Sequence, residues 1–66
     1  MDIYTTPKGT LFRLCRETFV TTSEHFYCPH RQIHMVKAHN VTKGIDEDIG
    51  EIAMLGAHPI KPQETK

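Results

Sequence analysis

The side chains best able to do chemistry in this 66-residue sequence are five histidines and two cysteines, most of them crowded into one stretch. His25, Cys28, His30, His34 and His39 fall there, with Cys15 further upstream. Zinc takes thiolate and imidazole donors in a tetrahedral set, and a small domain gains folding energy from such a site. His25-x-x-Cys28 has the spacing of a two-ligand knuckle, and His30, His34 and His39 recur at finger-like intervals. The gap between Cys15 and Cys28 argues against a finger, whose first pair lies only a few residues apart. If residues 31–42 form a strand, His30 and His34 share one face and His39 takes the other. The reading adopted is surface or half-buried imidazoles with no metal and no other cofactor, His25, Cys28, His30 and His34 being the zinc candidates. Such imidazoles also make a pH-sensitive face, since an unperturbed ring changes charge between about pH 5 and 8.

Catalytic patterns are thin. Cys28-Pro29-His30 sets a thiol near an imidazole, but a nucleophile also needs an orienting third group and donors for an oxyanion. The sequence marks neither. It carries no P-loop, dinucleotide fingerprint or nucleophile elbow. Asp46-Glu47-Asp48-Ile49-Gly50-Glu51 echoes a calcium loop without its third ligand or its far bidentate Glu, and reads as a solvated acidic turn. The expectation is a chain that is not an enzyme.

Net charge is zero with neutral histidines, which removes the strongest cue for nonspecific nucleic-acid binding. The distribution is uneven. Over residues 1–43, Lys8, Arg13, Arg16, Arg31, Lys37 and Lys43 stand against Asp2, Glu17 and Glu24, a net +3. Over residues 44–66, Asp46, Glu47, Asp48, Glu51 and Glu64 stand against Lys61 and Lys66, a net −3. Arg13, Arg16, Arg31 and Lys37, interleaved with Phe12, Phe19, Phe26 and Tyr27, could follow a phosphate backbone and stack bases. The competing use of those rings is as core, each burying about 150–250 Å².

The elements that must hold these groups are short. Ile3-Tyr4-Thr5 is β-prone, and Thr6-Pro7-Lys8-Gly9 reads as a turn. Residues 10–16 alternate as a strand, with Phe12 and Leu14 on one side and Arg13 and Cys15 on the other. Residues 18–22 read as a second strand. Ser23 could cap one helical turn carrying Phe26 and Tyr27 and ended by Pro29. Residues 31–42 are read as a strand on the strength of Val41-Thr42. Residues 43–50 look like a hairpin loop and 51–55 like the returning strand. The rival is a helix near residues 46–55, on the spacing of Ile45, Ile49, Ile52 and Leu55, with Gly56 at its end.

The fold class expected is mainly β: a small curled sheet or open barrel, SH3-like or OB-like, of four to five short strands, with α+β as the alternative. Residues 1–60 form one domain and residues 61–66 a loosely ordered tail. A domain of this size buries only about 60% of its unfolded-chain surface, so a staple or a partner is welcome. The N-terminus lacks the pattern of a secretory signal and no apolar run suits a membrane, so the expected compartment is the cytoplasm, with no membrane partner. Two cysteines there are expected as free thiols. Asn40-Val41-Thr42 is a glycosylation triplet by chance. The function expected is a surface-acting binding module of the regulator or inhibitor type, with a protein partner met by Asp46, Glu47 and Asp48. A homo-oligomer through exposed strand edges would ease the small-core problem. The alternative is a nucleic-acid-binding small barrel using Arg13, Arg16, Arg31 and Lys37, with or without a structural zinc.

Overall fold

The computed structural model describes residues 1–60. Apolar, aromatic and β-branched residues at 11–14 and 17–21 form β1 (Leu11–Leu14) and β2 (Glu17–Thr21), paired antiparallel from Leu11↔Val20 to Leu14↔Glu17. Only Cys15 and Arg16 remain to connect them, and both take positive φ, 53° and 67°. That is the twist a two-residue hairpin demands, but it suits Asn-Gly rather than these side chains. β3 (Phe26–Cys28) pairs with β4 (Ile33–Asn40) from Phe26↔Met35 to Cys28↔Ile33. β5 (Ile45–Gly50) pairs with β4 from Met35↔Gly50 to Asn40↔Ile45. Loops 29–32 and 41–44 have the same build, the last amide returning 2.7 Å to the carbonyl before the loop. Gly44 takes the left-handed position in the second loop at φ 73°, whereas Gln32 takes it in the first at φ 58°.

β4 is the central strand. β5 runs along one of its edges, and β3 then β2 share the other. A two-residue strand, β6 (His58–Pro59), pairs with the far side of β1. The result is a six-stranded antiparallel sheet. Since paired residues share a face, Phe12, Phe19, Thr21, Val36, Ala38, Asn40 and Ile49 line one side, with Leu11, Arg13, Val20, Phe26, Met35, Lys37, Asp46 and Asp48 on the other. The first face is covered by Ile3, from a single 3-10 turn (Ile3–Thr5), by Met54 of helix α1 (Glu51–Met54), and by Ala57. Phe12 and Phe19 stack at its centre, ring centroids 5.3 Å apart and nearly parallel at 7°. A four-residue helix does not hold by propensity. α1 stays because Met54 is fully buried, worth about 1.5–3 kcal/mol. The Met1 amino nitrogen adds bonds to the carbonyls of Met54 and Ala57, at 2.8 and 3.1 Å.

The mainly β class stands, with strands where 10–16, 18–22 and 31–42 predicted them. Four expectations change. The barrel gives way to a sheet that is neither closed nor strongly curled, because the 3-10 turn and α1 bury the apolar face that closure would otherwise bury. Ile3-Tyr4-Thr5 is the 3-10 turn itself, the Tyr4 amide donating to the Asp2 carboxylate and the Thr5 amide to the Asp2 carbonyl. The helical turn at 23–30 is a strand, since Phe26 and Cys28 find partners on β4. Over 43–55 the predicted loop supplies β5, which carries the acids, and the predicted strand is the helix α1 at residues 51–54, the C-terminal part of the rival helix near 46–55. Ile45, Glu47 and Ile49 alternate with Asp46 and Asp48, a period of two that the free side of β4 can pair. The expected tail, residues 61–66, lies outside the described residues.

Candidate interaction surface

The β4–β5 hairpin displays the acidic run along a strand edge rather than at a loop tip. Asp46 and Asp48 project from the open face and Glu47 from the opposite one. His39 Nδ1 lies 2.8 Å from Asp46 Oδ1, yet the Asp46 side chain remains 87% exposed. Asp48 stands opposite Lys37. Exposed pairs of this kind add only about 0–1 kcal/mol, so the charges are spent mainly on solvent. On its far side β5 pairs with no strand among the described residues.

Glu47 points inward toward Asn40, which is 0% exposed. The Asn40 amide nitrogen donates to Glu17 Oε1 at 2.8 Å and to Glu47 Oε2 at 2.9 Å, and its oxygen accepts from the Lys43 amide at 2.9 Å. The glycosylation triplet is therefore occupied by a buried side chain whose donors are both used. Lys43 Nζ also reaches Glu17 Oε2 at 3.3 Å. The Asn40 bond, helped by Lys43, holds the Glu17 carboxyl below the usual carboxylate range, burial opposing it. Stability from this group is present above the unfolded-chain value and is lost as pH falls through the lower folded value. Glu17→Gln should accordingly flatten the fall in urea stability from pH 5 to pH 3; a slope equal to wild type would remove Glu17 from the account.

Beyond Gly50 the same edge runs into α1, whose outer side carries Ile52 at 72% exposure and Leu55 at 70%. Spaced three apart, they lie on one side of the turn. Tyr4, half exposed, donates to Glu51 Oε1 at 3.2 Å, an oxygen that also accepts the His34 amide at 3.3 Å. Burial first, then this bond and the Glu51 and Asp2 charges, pushes the Tyr4 hydroxyl above its ordinary value.

The zinc candidates are not gathered. Cys28 pairs with Ile33 and Tyr27 with His34, which sends Cys28 and His34 to opposite faces, while His30 is exposed in the loop. His25 and His34 do meet, ring centroids 5.7 Å apart, but around Tyr4 and Tyr27 rather than a fourth ligand. Their Nδ1 atoms are shut from solvent without a hydrogen-bond partner. Among the described residues no three His, Cys, Asp or Glu side chains converge as a metal site, and the alternation of β5 splits the calcium-like run. Cys15 and Cys28 are free thiols, and no hydrogen bond joins Cys28 to His30. No cavity indents the surface of the described residues.

The basic residues are scattered too. Arg13 and Lys37 share the open face with β2 between their strands, whereas Arg16 sits in one end turn and Arg31 in the loop at the other end of β4. Phe12 and Phe19 are buried, leaving half-buried Phe26 and exposed Tyr27 as rings open to a base. No helix among the described residues is long and apolar enough to cross a membrane. Comparison with protein families, curated proteins and solved structures gives no match in any of the three.

Two parts of this surface escape sequence reasoning. Ile52 and Leu55 show helical spacing, but that spacing suggests a buried face; the signal for exposure is the stop at Gly56 after barely one turn. Asn40 gives no signal alone, because its partners Glu17 and Glu47 come from two other strands.

Proposed function

We propose that this chain is a non-enzymatic binding module of the regulator or inhibitor type that acts on a protein partner through the edge formed by β5 and α1. The observation that carries it is the pair Ile52 and Leu55, about 70% exposed and continuous with an acidic strand edge that no strand among the described residues pairs. Two large aliphatic side chains held outward on a helix anchored from beneath are an energetic cost in water that a partner would relieve. Carboxylates beside them suit the polar rim of an interface and would speed encounter with a basic surface. The nucleic-acid alternative draws less support, since its arginines lie on different faces and ends of the sheet.

The test is capture from cell lysate with and without nuclease, using wild type and Ile52→Asp/Leu55→Asp. A protein retained through nuclease treatment and reduced at least tenfold by the variant, whose circular dichroism matches wild type, is the expected result. Capture that disappears with nuclease, or is indifferent to the substitutions, would overturn the reading.

A further inference from the structure

Resting on that reading, we propose that the free edge of β5 accepts an extended strand from the partner, one carrying two basic residues two positions apart with an apolar residue on either side. Three features make the edge fit for this. It is six residues long and keeps an unbroken register with β4 from Gly50 to Ile45, with neither a bulge nor a proline, the usual devices that close an edge. Its outward backbone groups pair with no other strand among the described residues. Its charges remain, and they select rather than close.

Ile45-Asp46-Glu47-Asp48-Ile49 reads the same in both directions. A second copy of this chain centred on the same edge would set Glu47 against Glu47 and, antiparallel, Asp46 against Asp48. Directly opposed side chains lie only about 4.5–5.5 Å apart at Cβ, so carboxylate meets carboxylate in either orientation. The homodimer anticipated through strand edges is thus disfavoured here. A strand with Lys or Arg opposite Asp46 and Asp48 meets both acids on the open face, and apolar residues opposite Ile45 and Ile49 extend the other. Because the pattern is symmetric, parallel and antiparallel strands satisfy it alike. Strand addition of this kind takes affinity from main-chain bonds and specificity from alternate side chains.

The probe is the peptide Thr-Val-Lys-Thr-Lys-Val-Thr, blocked at both ends, titrated to millimolar concentration at low salt and followed by amide NMR and hydrogen exchange. The expected result is shifts and slowed exchange centred on residues 45–50, with affinity at least tenfold lower for the same peptide bearing Glu for Lys. Asp46→Asn/Asp48→Asn, checked for an unchanged spectrum elsewhere, should lower it by a similar factor. No change at residues 45–50, changes centred elsewhere, or equal binding of the Glu peptide would overturn the proposal. If that happens while lysate capture still depends on Ile52 and Leu55, strand addition falls and the protein-binding reading stands. If both fail, the reading itself falls.

Discussion

Asn40→Asp should destabilise the protein by about 3–5 kcal/mol at pH 7, the range seen when a buried charge is left uncompensated. The substitution barely changes shape. It removes both amide hydrogens that Glu17 and Glu47 now accept, and sets a third carboxylate between them at a fully buried position. A domain of this size holds only about 3–10 kcal/mol, so most of the folded population is at stake. The pH dependence separates this mechanism from simple loss of packing. Carboxylates crowded in the folded state have raised values there, so the penalty appears as pH climbs above the unfolded-chain value and shrinks on acidification. Urea titrations at pH 7 and pH 4 should show the variant's deficit narrowing at the lower pH. A deficit equal at both would mean that charge crowding is not its cause.

The second large effect runs the other way. Cys15→Asn/Arg16→Gly should raise stability by about 1–2 kcal/mol, since both positions hold left-handed backbone that ordinary side chains resist. For a domain of 60–100 residues that corresponds to a rise in Tm of roughly 4–8 °C per kcal/mol, with the urea slope unchanged. A fall in Tm would show that the turn is not strained as its angles imply. Both side chains are exposed, so no packing is lost in exchange.

The elements legible in the sequence are those whose own pattern agrees with their place in the sheet. Phe12 and Leu14 share one side of β1, and Thr18, Val20 and Thr21 give β2 its β-branched content, whereas Val41-Thr42, on which the strand at 31–42 rests, lie in the turn that follows β4. The misread elements are those decided by a neighbour. β3 has three residues and a capping serine before it, and becomes a strand only because Met35 and Ile33 lie alongside. The acids at 46–48 look like a solvated loop until β4 supplies an edge and Asn40 supplies donors for the one carboxylate that turns inward. The acidic run was recognisable as a contact candidate from its charge alone. Its strand geometry and its extension onto Ile52 and Leu55 were not, because both follow from where the sheet ends.

Because β4 is flanked along its length, it acts as a common ruler for β2, β3 and β5. A slip of one residue in the pairing of β2 or β5 would turn that strand's buried side chains to water while its neighbours stayed in place. Such an error cannot be absorbed locally. It strands Phe19 or Ile49 on the wrong side and takes Glu17 or Glu47 away from the Asn40 donors, so each misaligned pairing is penalised in the core and in the polar cluster at once.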